Sequence, residues 1–264
     1  MDTPAPKPRR SRRKTIVLSI LALFLLPIAA RAALYAYDGG SGSWRTADWS
    51  STGTLPAASA EPEARVLIMS GRTGGLKGVF SVHSWVVFKP ENGKAWRRYD
   101  VVGWGDPVRT NFRDPDGRWY GNPPQVVLDL RGQAAATAIP KIEAAVKDYQ
   151  YASAGDYRLW PGPNSNTFIA TVLRAIPEAE AALPANAVGR DFRPLPYIGM
   201  TDSGTGVEAS LWGVVGIKLG WVEGVELNFL GLVAGIDFRD PGIKLPGFGH
   251  IGWPKETATA APAR

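Results

Sequence analysis

The pattern of apolar positions separates an N-terminal targeting segment from a globular remainder. An apolar run extends from Ile16 to Ala30, and six basic residues precede it. Basic residues, an apolar run and a small-residue site such as Ala30-Arg31-Ala32 are the three parts of a secretory signal. Extended through Tyr37, with Arg31 reaching toward the membrane surface, the run has roughly the 20 residues that a membrane span needs. A cleaved signal and an uncleaved anchor over residues 1–37 both stay open.

The membrane is therefore the expected partner of the N-terminal segment, and the rest of the chain is expected outside the cytoplasm. The basic residues before Ile16 hold the N-terminus inside by the positive-inside rule. Ser11-Arg12-Arg13 also suggests a twin-arginine signal, but the strongly apolar run disfavours it.

Past an extended lead-in at residues 38–62, rich in Gly, Ser, Thr and Pro, β-branched and aromatic runs predict strands. A Pro- and Gly-rich loop at residues 105–124, suited to covering a cleft, interrupts them. The predicted strands are Arg65 to Ser70, Phe80 to Phe88, Arg97 to Trp104 and Gln125 to Leu130.

The second and third strands are predicted to form a hairpin around Asn92-Gly93. With a type I′ turn there, Val87 faces Arg98, and Asp100 lies on the same face as His83. A loop whose length shifts the pairing by one residue would instead bring Tyr99 and Val101 to that face.

Helical spacing of apolar residues predicts a helix within residues 133–149, with the helix proper starting at Pro140, and a second helix from about Ser165 to Ile176. From Gly206 an internal echo appears, GVEASLWGVVGIKL followed by GVELNFLGLVAGIDF, which predicts paired strands in a β extension at 206–252. Packing of this extension onto the main sheet is favoured over a membrane-facing patch. The tail at 255–264 is expected to be disordered.

The charge balance excludes a nucleic-acid partner. Seven of the 30 basic residues precede position 33, and so does one of the 24 acidic residues, which leaves 23 of each in the remainder. A nearly neutral body has no basic surface for a polyanion.

Disulfides and a structural metal site are also excluded. The chain has no cysteine, and His83 and His250 are its only imidazoles. No metal and no cofactor are expected. His250, within a Gly-rich segment, is expected to be structural.

Ser165 is the candidate nucleophile because it falls where a helix begins. Unpaired N–H groups and a partial positive charge at a helix N-terminus stabilise an alkoxide or an oxyanion. The competing interpretation is a capping role, since Asn164 and Ser165 are both of the residue types preferred at the N-cap.

Five segments together resemble an uncharacterised family of bacterial envelope proteins, over essentially everything past the targeting region. The segments are GSWRTADWSSTG, FSVHSWVVF, RWYGNPPQVVLDLRG, WPGPNSNTFIATVLRAIPE and KLPGFGHIG. This resemblance implies an inner-membrane protein facing the periplasm, or one exported to it, and implies no activity.

A more distant resemblance is to the circularly permuted papain-like superfamily of amidases, peptidases and lipid acyltransferases. There a His on a strand is oriented by a polar residue on the next strand, and a nucleophilic Cys begins a helix, often after Asn. His83, Asp100 and Asn164-Ser165, followed by Phe168, have this order, but Ser165 stands where the superfamily has Cys. The resemblance implies one permuted papain-like α+β domain over 63–254, an antiparallel sheet with two helices plus the β extension.

Two functions stay open. In the first, an envelope hydrolase or acyltransferase acts on an amide or ester, with Ser165 as nucleophile, His83 as base and Asp100 as the group that orients it. Asn164, Trp119 and Tyr120 would then contact substrate. In the second, a degenerate scaffold binds lipid, glycan or protein. His83 is then a core imidazole, Asp100 pairs with Arg98 or Arg97, and Trp119-Tyr120 only pins a loop.

Overall fold

Helices and two antiparallel sheets, of five and seven strands, make up the protein, which confirms the predicted α+β class. The computed structural model describes residues 12–40 and 42–252. The tail predicted to be disordered at 255–264, and the basic residues before position 12, lie outside the described residues.

The five-stranded sheet has the order β4-β3-β2-β1-β5 and carries the predicted strands. β3 is shorter than predicted, because the chain turns at Gly103, and the loop at 105–124 contributes a strand of its own, β4. The bounds are β1 Arg65–Arg72, β2 Val82–Lys89, β3 Arg97–Val101, β4 Val108–Thr110 and β5 Gln125–Arg131.

The predicted hairpin register is confirmed, whereas the predicted turn is wrong. Val87 lies opposite Arg98 in the β2–β3 ladder. The ladder stops at Phe88, however, and the Gly93 N–H donates to the Pro90 carbonyl. Asn92 has φ +53° but Gly93 has no positive φ, so the connection is a longer loop and not a two-residue type I′ turn.

Two long helices pack on one face of this sheet: α3, Gly132–Lys147, and α4, Ser165–Ala175. The predicted start of α3 at Pro140 is wrong, because the helix runs through that residue. Pro140 and Ala136 are both exposed. Water can therefore satisfy the Ala136 carbonyl that proline leaves without a donor.

Side chains of β1 and β2 alternate between the two faces of the sheet. On the face we call the helix face, Val66, Ile68, Val86 and Phe88 pack with α3 and α4. The opposite face, here the tryptophan face, holds Leu67, Met69, Trp85 and Val87 together with Trp119, and the lead-in covers it with Trp44 and Trp49.

Asp116 fastens the lead-in to the 105–124 loop. Its buried carboxylate accepts hydrogen bonds from the hydroxyls of Ser51 and Thr52 and from the N–H groups of Thr54 and Leu55. Asp116 thus contributes four hydrogen bonds to the attachment of the lead-in, in addition to the packing of Trp44 and Trp49.

The seven-stranded sheet begins earlier than the predicted extension, at Tyr197, and has the order β12-β11-β10-β9-β8-β7-β6. The two copies of the repeat form the hairpins β7–β8 and β9–β10. The second hairpin closes through Leu230 and Gly231, both with positive φ. The bounds are β6 Tyr197–Met200, β7 Gly206–Leu211, β8 Val215–Gly220, β9 Gly224–Phe229, β10 Leu232–Asp237, β11 Gly242–Leu245 and β12 Gly249–Gly252.

The favoured expectation that the extension buries its apolar side on the main sheet is wrong. Ile198, Ile217 and Leu227 are exposed, whereas Glu208 and Lys218 on the other side of the same sheet are buried. The inner side is held by ion pairs instead, such as Lys218 with Glu208 and Asp191.

Helix α1, Arg12–Tyr37, precedes the domain and is, by length and composition, long and apolar enough to cross a membrane. It contacts a short helix, α2 (Lys77–Phe80), and strand β10. Phe24 is its buried residue, and the Phe24 ring lies 5.8 Å from that of Phe229. The helix is compatible with either a signal or an anchor.

Candidate functional site

His83 and Asp100 form a buried pair on the tryptophan face. His83 Nε2 lies 2.9 Å from Asp100 Oδ1, on the adjacent strand. His83 is 4% exposed, and Asp100 is inaccessible to solvent. The register that placed both residues on one face therefore also brings them into contact.

Arg98 holds the other side of the carboxylate. Its Nε donates to Asp100 Oδ2 at 2.6 Å, and a terminal nitrogen donates to Oδ1 at 2.8 Å. Burial by itself raises the pKa of Asp100, but the Arg98 charge and the hydrogen bonds from His83 and Arg98 outweigh it and lower the pKa to about 2. Arg97 pairs instead with Glu143. Asp100 is thus paired with Arg98 and contacts His83 as well.

The ionised carboxylate fixes the tautomer of His83. A carboxylate can only accept hydrogen bonds, so Nε2 carries the proton and Nδ1 carries the lone pair. Burial lowers the pKa of His83, with Asp100 opposing and Arg98 adding to that effect. The imidazole is accordingly neutral at pH 7, and its Nδ1 has no hydrogen-bond partner among the described residues. That is the state a general base requires.

Aromatic side chains pack against His83 and against Arg98, the two partners of Asp100. The Trp119 ring stacks on the His83 ring, with centroids 3.6 Å apart and planes 6° from parallel. The Arg98 guanidinium lies 4.1 Å above the centroid of Trp85. These contacts leave the imidazole little freedom to rotate away from Asp100.

At the start of α4 the N-cap is Asn164, not Ser165. Asn164 Oδ1 accepts from the N–H groups of Asn166 and Thr167, and the Thr167 hydroxyl accepts from the Asn164 N–H, which completes a capping box. The Asn164 Nδ2 donates to the carbonyls of Leu159 and Val188. With its amide fully used inside the protein, Asn164 is a structural residue of the site.

Ser165 occupies the first helical position and has no capping function. Its hydroxyl has no hydrogen-bond partner among the described residues, although the residue is only 4% exposed. Its N–H likewise has no acceptor in the described chain, since the cap serves the next two residues. Ser165 therefore supplies a free hydroxyl and a free N–H at the helix N-terminus.

Asn166 ties the start of α4 to the start of β2. Its Nδ2 donates to the Val82 carbonyl at 2.9 Å, and Val82 is the residue before His83. This bond brings Ser165 and His83 to the same end of the sheet, although α4 packs on the helix face and His83 lies on the tryptophan face.

His83 and Ser165 line one cavity of about 340 Å³. The wall is mainly apolar and aromatic, and three further residues proposed for substrate contact, Asn164, Trp119 and Tyr120, belong to it. No hydrogen bond joins the Ser165 hydroxyl to His83 in the described structure. The large apolar and aromatic side chains of the wall are Trp44, Phe80, Trp104, Trp119, Tyr120, Tyr157, Leu159, Trp160, Leu230 and Leu232.

Some residues of this site have a local signal in the sequence, and others have none. Arg98 precedes Asp100 by two positions on one strand, so period-2 alternation places both on one face. Gly189 allows Asn164 to bind: a Cβ on Gly189 would lie 2.2 Å from Asn164 Nδ2, and its φ is +95°. Leu230 and Leu232 come from the second sheet, and no local pattern connects them with His83.

The second histidine, His250, does not line this cavity. His250 contacts the Asp240 carbonyl at 2.8 Å on the seven-stranded sheet. Among residues 12–40 and 42–252, no group of three or more His, Cys, Asp or Glu side chains is placed to hold a metal ion.

Comparison with known proteins identifies a domain in the middle of the chain. Residues 63–192 match a family model described as "Protein of unknown function (DUF3750)". This range contains the five-stranded sheet, α3, α4 and all of His83, Asp100 and Ser165, whereas α1 and the seven-stranded sheet lie outside it. No match was found among curated proteins or among solved structures.

Proposed function

We propose that the protein is a serine hydrolase or acyltransferase of the bacterial cell envelope, acting on an amide or ester with an apolar acyl group. The observation that carries the proposal is that Ser165, at a helix N-terminus, and His83, held by Asp100, line one apolar cavity. The order of His on a strand, carboxylate on the next strand and nucleophile at a helix start is that of the permuted papain-like superfamily.

The proposed reaction uses the hydroxyl and N–H of Ser165 and the Nδ1 of His83, which have no hydrogen-bond partner among the described residues. The Ser165 hydroxyl attacks the substrate carbonyl carbon while its proton passes to His83 Nδ1, and the resulting oxyanion accepts a hydrogen bond from the Ser165 N–H. His83 then gives the proton to the leaving amine or alcohol, which departs and leaves an acyl-serine. Water, or an acceptor hydroxyl or amine, then gives a proton to His83 Nδ1 and attacks the acyl carbon. The bond to Ser165 breaks, and the Ser165 oxygen takes the proton back from His83. The Ser165–His83 contact must form when substrate enters, as catalytic hydrogen bonds often do.

An activated-serine probe tests this proposal on the full-length protein. We expect a fluorophosphonate to label the wild type at Ser165, and Ser165→Ala and His83→Ala to abolish labelling while the proteins stay folded. Ser81→Ala is the matched control, because Ser81 lines the same cavity but its hydroxyl is bonded to the Val82 carbonyl. Folded wild-type protein that resists the probe would contradict catalysis.

The second candidate function is non-catalytic binding of an apolar ligand in the same cavity. The absence of a hydrogen bond between the Ser165 hydroxyl and His83 in the described structure favours it, as does the aromatic wall. Binding of a brominated fatty acid would quench the emission of Trp119 and Trp160, which line the cavity. Equal quenching in the wild type and in Ser165→Ala, together with no labelling, would support this alternative.

A further inference from the structure

The seven-stranded sheet carries its polar residues inside and its apolar residues outside. On the inner side, Glu208, Lys218 and Glu226 are cross-strand neighbours and all are buried. One position further along the strands, Ile217 pairs with Leu227, and both are exposed. This is the reverse of the pattern in a water-soluble sheet, which exposes its polar face.

The apolar side is continuous over all seven strands. We call the side of the sheet that carries Ile217 and Leu227 the outer face. Followed from strand to strand through the cross-strand pairs, this face has no charged side chain in β6 to β12. Soluble monomers seldom expose apolar patches beyond a few hundred Å². The exposed side chains of the outer face include Ile198, Val207, Ile217, Leu227, Phe229 and Ile251.

Helix α1 indicates what covers this face. Phe24 of α1 packs on Phe229, which belongs to the outer face, and α1 also contacts β10. Phe24 is the buried residue of α1, and most of the large apolar side chains of the helix are exposed beside the sheet. A hydrocarbon phase that surrounded α1 would therefore extend onto the outer face.

We propose that the outer face of the seven-stranded sheet lies against the lipid acyl chains of the membrane into which α1 inserts. Lipid acyl chains would cover both α1 and the outer face. A second molecule of the protein bound to the outer face would still leave most of α1 exposed. Trp212 and Trp221, exposed in turns of this sheet, have the side chain that is enriched at membrane–water interfaces. The domain is thereby held to the membrane by a sheet face as well as by a helix.

Single cysteines with an environment-sensitive fluorophore test this placement. The sequence has no cysteine, so each introduced thiol is unique. Ile217→Cys and Leu227→Cys report on the outer face, Leu18→Cys on α1 serves as the reference for lipid, and Lys94→Cys in the β2–β3 loop as the reference for water. Each full-length variant is labelled with a nitrobenzoxadiazole group and reconstituted in phosphatidylethanolamine–phosphatidylglycerol vesicles, with or without brominated acyl chains.

We expect the labels at 217 and 227 to be blue-shifted, quenched by brominated lipid as strongly as the label at 18, and protected from aqueous iodide. Quenching by iodide as at position 94 would overturn the proposal. Protection from both quenchers, with disulfide cross-linking between two Ile217→Cys chains, would overturn it in favour of a sheet-to-sheet dimer. None of these readouts depends on Ser165 reactivity, so the two proposals fail separately.

Discussion

Asp100 is shared between an imidazole and a guanidinium: its Oδ1 lies 2.9 Å from His83 Nε2, while Arg98 donates to both of its oxygens. One carboxylate thus serves the candidate chemistry and a buried ion pair. Removing it should affect both, and the two effects can be measured independently.

We predict that Asp100→Asn both abolishes probe labelling of Ser165 and destabilises the protein. Loss of the negative charge leaves Arg98 buried without its counter-ion, which costs about 3–5 kcal/mol. Urea unfolding in detergent measures the free energy. Asp129→Asn is the control, since that partly exposed carboxylate pairs with Arg65 on the same sheet and should cost only about 1 kcal/mol. A stable Asp100→Asn protein that still labels would contradict the assigned role of Asp100.

The labelling rate of Ser165 should rise with pH through a midpoint below 6.5. Burial lowers the pKa of His83 beneath its ordinary value of 6.5. Because the neutral imidazole is the proposed base, we expect activity above this lowered pKa and its loss as the pH falls through it. Probe kinetics between pH 4 and 8 measure the midpoint. A midpoint above 6.5 would show that His83 is not the base or is not buried in the reactive state.

The five-stranded sheet was largely predictable because its strands have strong local patterns. β-branched and aromatic runs identified β1, β2 and β5, and period-2 alternation set the face of His83 and Asp100 even though the turn at Asn92-Gly93 was misassigned. Which residues share a face depends on whether the number of residues between two paired positions is odd or even, and not on the type of turn. The predicted register was therefore correct although the predicted turn was wrong.

The rest of the site was not predictable, because long-range contacts without a local pattern build it. Trp44 in the lead-in, Trp119 in a loop and Leu230 in the second sheet meet at one cavity from three distant segments. The orientation of the second sheet also escaped prediction. Alternation shows that a strand has two different faces, but not which of them water will contact.

Asp116→Asn should loosen residues 50–56 of the lead-in without unfolding the domain. Burial raises the pKa of Asp116, but its hydrogen bonds lower it by more, so the charged form is the one that holds Ser51, Thr52, Thr54 and Leu55. That stabilisation is present at neutral pH and is lost as the pH falls through the lowered pKa. Hydrogen exchange of residues 50–56 should rise in the variant. Asp114→Asn, exposed in the same loop, should leave exchange there unchanged.

The domain after α1 is predicted to lie outside the cytoplasm. Arg12, Arg13 and Lys14 stand at one end of the helix, and the positive-inside rule keeps that end in the cytoplasm. Alkaline phosphatase fused after residue 60 should therefore be active, because that enzyme requires export. Activity of a cytoplasmic reporter fused at the same residue, with no phosphatase activity, would reverse the topology.

The last prediction separates capping from reactivity at the start of α4. Because Asn164 and not Ser165 accepts from the first-turn N–H groups, Asn164→Ala should destabilise the protein by about 1–2 kcal/mol. Ser165→Ala should change the free energy of unfolding by less than about 0.5 kcal/mol, since its hydroxyl has no partner among the described residues. Urea unfolding of the two variants in detergent measures both values. Equal losses would mean that the Ser165 hydroxyl contributes to the cap after all. A silent Ser165→Ala that also abolishes probe labelling would instead leave reactivity as the one role of this side chain.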